Sequence, residues 1–117
     1  MTYPRRGDVF LVSIDPMIGR EIRKTRPALI LQNDISNRYS EITIVGAITS
    51  SFRDPPHPRE VVIAPGKSGL SVRSAAILNQ IRSVDRQRLV KRLGKVDAAT
   101  MRRVDKALLI SLGLIDI

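Results

Sequence analysis

The chain contains no cysteine and no tryptophan, and only one histidine, two tyrosines and two phenylalanines. Without cysteine there are no disulfides and no thiolate metal ligands, and the redox compartment is left open. With a single histidine, a zinc site would need carboxylates alone, against that ion's preference for Cys and His. The acidic residues are not clustered into the pairs that hold Mg²⁺ for two-metal phosphodiester chemistry. Neither a G-x-x-x-x-G-K-[ST] phosphate loop nor an H-E-x-x-H pair occurs. No metal and no cofactor are therefore expected. No apolar run approaches the roughly 18 residues needed to cross a bilayer, so no membrane partner is expected. The opening MTYPRRGDVF has no apolar stretch before Asp8, which argues against a secretory signal and makes the cytoplasm the expected location.

What the chain has in excess is positive charge. Twenty Lys and Arg face eleven Asp and Glu, a formal net charge of +9, and fifteen of the twenty are arginine. Arginine carries a planar fork of donors that matches phosphate oxygens and base edges, which lysine lacks. Such a balance points to a polyanion, either nucleic acid or an acidic protein partner, although a solvated basic surface has the same charge. Base stacking would be limited to Tyr3, Phe10, Tyr39, Phe52 and arginine planes, so recognition should lean on hydrogen bonds and charge.

The 117 residues fit one domain, 1–117. Strands are expected over Asp8–Ile14, Pro27–Gln32, Ile42–Ile48, Glu60–Ala64, Ala75–Val84 and Leu89–Val96, from β-branched content, alternation and Gly/Pro boundaries. Gly46 suggests a bulge or a close approach. Residues 15–25 read as a charged loop, 33–40 as a polar turn and 50–59 as a proline-rich loop; Asp85 to Arg88 are expected to begin a short helical turn. Asp97 is a good N-cap for a terminal helix. Met101, Val104, Leu108 and Ile115 share one face of that helix, and Arg102, Arg103 and Lys106 project elsewhere. The fold class is mainly β (α+β), a small β-barrel with a C-terminal helix.

Few side chains can carry chemistry. His57 has the right unperturbed pKa for a general base, but its Pro-Pro-His-Pro setting reads as an exposed loop tip. Arg26 precedes Pro27, which pushes its backbone to an extended conformation where loop meets strand. A guanidinium there suits the charge that builds on a phosphodiester's oxygens, and equally suits a rim salt bridge. Thr49, Ser50 and Ser51 offer three hydroxyls that either donate to a phosphate or cap the strand and open the turn.

The segments, taken in order, resemble the MazF/PemK toxin family. Arg6-Gly7-Asp8-Val9, Gly19-Arg20-Glu21 with Arg26-Pro27, and Leu31-Gln32-Asn33-Asp34 carry the first half of the likeness. Ala47-Ile48-Thr49-Ser50, Gln80-Ile81-Arg82-Ser83-Val84-Asp85, Arg88-Leu89, Leu93-Gly94 and Val104-Asp105-x-Ala107-Leu108 complete it. The resemblance covers essentially the whole chain. It implies an SH3-like barrel, a homodimer, and an antitoxin-controlled endoribonuclease. Such an enzyme cuts single-stranded RNA without metal, leaving 2′,3′-cyclic phosphate and 5′-hydroxyl ends. It also implies Arg26 and Thr49 as the catalytic pair. The expected RNA contacts are Arg20, Glu21, Lys24, Asn33, Ser50, Asn79, Gln80 and Arg82. Asn79 stands where many members carry Asp or Glu, so no carboxylate base is available at that position. The alternatives are a gyrase-poisoning toxin of the same fold and a catalytically inactive RNA-binding module.

Overall fold

The computed structural model describes residues 3–14 and 24–117, so most of the expected 15–25 loop lies outside the described residues. Six strands form an antiparallel sheet in the order β4-β5-β3-β2-β1-β6. They are β1 (Asp8–Ser13), β2 (Thr25–Ile30), β3 (Ile42–Thr49), β4 (Glu60–Ile63), β5 (Ser74–Asp85) and β6 (Leu89–Lys95). Two helices accompany them, α1 (Asp34–Tyr39) and α2 (Ala98–Ser111), with a 3-10 turn over Arg86–Arg88. None of the described helices is long and apolar enough to cross a membrane.

Alternation along the strands divides the apolar residues between two cores. Val9, Leu29, Ile48, Val61, Ile63, Ala76 and Leu78 pack with Val104 and Ala107 of α2. Val12, Ala28, Ile30, Val45 and Val84 form the second cluster. The expected helix face is present in Met101, Val104 and Leu108, but α2 ends at Ser111, before Ile115. The backbone turns at Gly113, whose φ is +75°, a value that favours glycine. At the other end of α2, the Asp97 carboxylate accepts from Thr100 N–H at 2.8 Å. That bond lowers the Asp97 pKa, with smaller help from Arg103 and Lys67 nearby.

The expected polar turn at 33–40 is instead helix α1. Asn33 caps it, accepting from Ser36 N–H at 2.8 Å. Its buried residue is polar: Asn37 donates to the Gln32 carbonyl at 2.9 Å and accepts from the Thr43 hydroxyl at 2.7 Å. Ile35 and Tyr39 face outward. A helix anchored by an amide rather than by an apolar stripe leaves no hydrophobic period to read.

The sheet has edges at β4 and β6, so no strand ladder closes it into a barrel. A loop joins the two edges instead. Lys95 N–H donates to the Lys67 carbonyl at 3.0 Å. A Cβ on Gly94 would lie 2.2 Å from that carbonyl oxygen, and one on Gly69 would lie 2.0 Å from the Leu93 oxygen. Only glycine at both positions lets the β4–β5 connection lie this close to β6.

Candidate active site

A groove of about 820 Å³ lies over one face of the sheet. Its floor includes Val12, Ala28, Val45, Ala47 and Ile77, from β1, β2, β3 and β5. Ala28 pairs with Ala47 and Ala47 with Ile77, so these residues form a row across three strands and share a face. The rim is polar and differs strand by strand.

Arg26 lies within β2, opposite Val12 of β1, and not at a loop-to-strand junction as its place before Pro27 suggested. The β2–β3 ladder ends at Ala28↔Ala47, and Arg26 and Thr49 each lie two residues beyond it, on the same end of the two strands and both lining the groove. Arg26 is exposed, and its guanidinium donates to the Thr25 carbonyl at 3.2 Å. It pairs with no carboxylate among the described residues. Its charge therefore faces the groove without a neutralising partner among them.

Thr49 ends β3, and both turn and groove use it. Its hydroxyl accepts from Ser51 N–H at 3.1 Å and donates to the Ser51 carbonyl at 3.2 Å. The second contact is long for an O–H donor, whose usual distance is about 2.7–2.8 Å. The hydroxyl proton is thus weakly held and can turn to a stronger acceptor while the N–H bond keeps the oxygen in place. Ser50, next along, is exposed and also lines the groove.

Asn79 and Gln80 reach the rim through a wide bulge. Gly46 pairs with Ile81 but Ala47 pairs with Ile77, so a single step on β3 spans four on β5. Leu78, Asn79 and Gln80 fall outside the ladder with β3. Gly46 stands at the slip: a Cβ there would crowd Leu31 Cδ1 at 3.2 Å and touch Leu78 Cδ1 at 3.5 Å. Leu78 is fully buried, whereas Asn79 and Gln80 are exposed on the groove. Bulges commonly re-aim side chains in this way beside functional sites. Beyond the bulge, Arg82 pairs opposite Val45 and adds a second guanidinium.

Arg26, Thr49, Ser50, Asn79, Gln80 and Arg82 thus meet in one groove, although they come from three strands. Lys24 and Asn33 are not among its lining residues; Lys24 precedes β2 and Asn33 caps α1. Arg20 and Glu21 lie outside the described residues. His57 is exposed, with its Nδ1 accepting from Arg59 N–H at 3.2 Å, and does not line the groove. Phe52 is not a free stacking platform, since the Arg73 guanidinium lies 5.3 Å from its ring centre.

The groove also takes in Arg59 and Glu60, which the motifs did not single out. The signal that finds them is pairing, since Glu60 stands opposite Ile77 of the floor. The rim then carries three guanidinia, Arg26, Arg59 and Arg82, against the Glu60 carboxylate. No cluster of three His, Cys, Asp or Glu suited to a metal ion occurs among the described residues. Such a rim can bind a polyanion, stabilise charge on a phosphate and read base edges, but offers no imidazole for proton transfer.

Comparison with known proteins shows the family of the chain. Residues 5–112 match the family model of the PemK-like, MazF-like toxins of type II toxin–antitoxin systems. The chain is 42% identical over 112 residues to Endoribonuclease EndoA of Bacillus subtilis (strain 168), covering 96% of this chain and 97% of that protein. Among solved structures it is similar to an endoribonuclease from Mycobacterial species in complex with its cognate antitoxin. That match has a TM-score of 0.80 and 25% identity, over 97% of this chain and 99% of the other. It is also similar to MazF from Deinococcus radiodurans, with a TM-score of 0.74 and 27% identity over 97% and 99% of the two chains. The chain belongs to the PemK-like, MazF-like toxins of type II toxin–antitoxin systems.

Proposed function

We propose that the groove is the RNA-cleaving site of this MazF-type endoribonuclease, acting on single-stranded RNA without a metal ion. The observation that carries the reading is the meeting of Arg26 and Thr49 on opposed strands of a groove with excess positive charge. In the reaction, the RNA's own 2′-oxygen attacks the adjacent phosphorus. A new 2′-O–P bond forms and the P–O5′ bond breaks. The 2′ proton leaves to solvent and the departing 5′ oxygen takes one up. The products are a 2′,3′-cyclic phosphate and a 5′-hydroxyl.

Arg26 stabilises the charge that grows on the phosphate oxygens. Electrostatics is its main role, because a guanidinium with pKa above about 12 is a poor base at neutral pH. Thr49 turns its weakly held hydroxyl proton to a phosphate oxygen. Asn79, Gln80 and Ser50 supply hydrogen bonds to the strand, and Arg82 adds charge along it. Arg20, Glu21, Lys24 and Asn33 complete the proposed contacts.

The working unit we propose is a cytoplasmic homodimer of this one-domain chain. A single sheet face offers a short groove, and a second copy lengthens it. The proposed inhibitor is a cognate antitoxin whose flexible acidic segment docks across the same groove. The net charge of +9 favours such a chain, which would order itself on docking.

The test is cleavage of a defined transcript by purified protein in EDTA, with the ends mapped. Cleavage leaving cyclic phosphates is expected. A strict Mg²⁺ requirement would overturn the mechanism.

A further inference from the structure

We propose that Arg59 is an RNA-binding residue whose guanidinium holds a phosphodiester away from the scissile one, on the β4 side of the groove. The inference rests on the groove being the RNA site.

Arg59 is the last residue before β4, and its backbone is pinned on both sides. Its N–H donates to His57 Nδ1 at 3.2 Å, and its carbonyl accepts from Leu78 N–H at 2.8 Å. Leu78 is the residue at which the β5 bulge begins. Arg59 is thus fixed against the same bulge that presents Asn79 and Gln80.

The side chain is held without a partner. It lines the groove, and its guanidinium makes no hydrogen bond or ion pair among the described residues. Its Nε is shut off from water. A charged N–H with neither water nor an acceptor is costly to a fold and is uncommon without a reason. The neighbouring Glu60 does not relieve it: its carboxylate accepts from His57 N–H at 2.9 Å and forms no ion pair with Arg59. The two terminal nitrogens of the guanidinium are not shut off in this way, so an anion in the groove can accept from them, and the planar fork matches the oxygens of a phosphate.

Position separates this contact from the catalytic one. Glu60, Ile77, Ala47 and Ala28 form a row across the sheet from β4 to β2. That row spans three strand spacings, about 14 Å at about 4.8 Å each. Arg59 lies to one side of the row and Arg26 to the other. The two side chains are rooted at opposite corners of the groove, so they serve different phosphates of one strand.

The test compares Arg59→Met, which keeps the stem and removes the charge, with Arg59→Lys. Cleavage of a defined single-stranded RNA is measured over a salt series, with KM and kcat separated and the cut sites sequenced. Arg59→Met is expected to raise KM on the order of tenfold, the loss of one charge-assisted hydrogen bond. The loss falls on KM more than on kcat. The log–log salt slope becomes shallower by about 0.7, as for one phosphate contact on a single strand. The cut sites stay the same, Arg59→Lys recovers part of the KM, and the Arg59→Met melting temperature is no lower than wild type. If the wild type cuts RNA but Arg59→Met leaves KM and salt slope unchanged, this inference fails and the groove reading survives. If the wild type does not cut RNA, the groove reading itself fails. Relaxed cut sites with an unchanged salt slope would assign Arg59 to a base edge and overturn the phosphate contact.

Discussion

Gly94→Ala asks how firmly the loop that joins the two sheet edges is held. The new Cβ would lie 2.2 Å from Lys67 O, 2.4 Å from Ser68 C and 2.6 Å from Ser68 O. All three atoms are backbone, so none can rotate aside. A carbon approaches a carbonyl oxygen comfortably at about 3.3 Å, so the loop must retreat by about 1 Å. That retreat opens the 3.0 Å bond from Lys95 N–H to Lys67 O. It also disturbs Gly69, which abuts the Leu93 carbonyl. Overpacking costs about 1–3 kcal/mol, and the lost hydrogen bond adds about 1 kcal/mol. The sum, about 2–4 kcal/mol, is a large share of the 5–15 kcal/mol typical of native stability. At roughly 4 °C per kcal/mol, Tm falls by about 8–16 °C. Because Leu70, Ser71 and Val72 of the same connection line the groove, cleavage at moderate temperature should fall as well. Thermal melts followed by circular dichroism, beside an RNA cleavage assay, read both effects. A Tm within about 2 °C of wild type, the range of an innocuous surface change, would refute the closure argument.

Arg26→Ala should slow cleavage by on the order of 100-fold or more, with an unchanged melt, as loss of a transition-state charge donor does. His57→Ala should cut at nearly the wild-type rate; the opposite pattern in the two variants would move the site to the 50–59 loop. Light scattering should give about twice the 13.0 kDa chain mass, and a monomer that still cleaves when dilute would remove the dimer from the proposal. Asp97 supplies a pH test: its folded pKa lies below the ordinary aspartate value of 3.8, chiefly through the Thr100 N–H bond. Its contribution is therefore present above pH 3.8 and lost as pH falls through the depressed folded value. The Tm gap between wild type and Asp97→Ala should narrow in acid, and a gap constant throughout the acid range would contradict the cap's role.

Elements with an apolar period could be read directly. The six strands and α2 lie close to their expected places because Val, Ile and Leu alternate or recur on a buried face. The α1 helix could not, because its buried residue is Asn37 and its large apolar residues, Ile35 and Tyr39, face outward. Ile115 was misread for the opposite reason. It continues the apolar period of α2 by seven residues, yet the helix has already ended at Ser111. The sheet was expected to close as a barrel, but its edges β4 and β6 stay unpaired and a loop joins them; that join was not legible, since it depends on Gly94 and Gly69, from separate segments, each lying against backbone of the other's segment.

The site divides along similar lines. Arg26 and Thr49 each sit in a short segment that carries its own signal: an arginine before proline, and a hydroxyl at a strand end. Their meeting does not appear in either segment; it follows from the β2–β3 pairing. Asn79 and Gln80 depend on register still more. In a regular ladder, adjacent residues point to opposite faces, so a groove could receive one of the pair but not both. The three-residue slip against β3 removes that constraint and presents both to the same groove. Gly46 sits at this slip, where a Cβ would crowd Leu31 at 3.2 Å and meet Leu78, the buried residue at the start of the bulge, at 3.5 Å. A larger residue at position 46 would therefore act on RNA recognition without touching RNA. A side chain longer than one carbon would press first on Leu31 and then on Leu78, and a shift of Leu78 would move the N–H that holds the Arg59 carbonyl. Gly46, Leu78 and Arg59 are linked in this way beside the bulge, while Arg26 stands on β2 and Thr49 lies three residues farther along β3, at its end. Substitutions at Gly46 should raise KM before they reduce kcat, and a variant that loses kcat alone would show that the bulge and the proposed catalytic pair are not separable in this way.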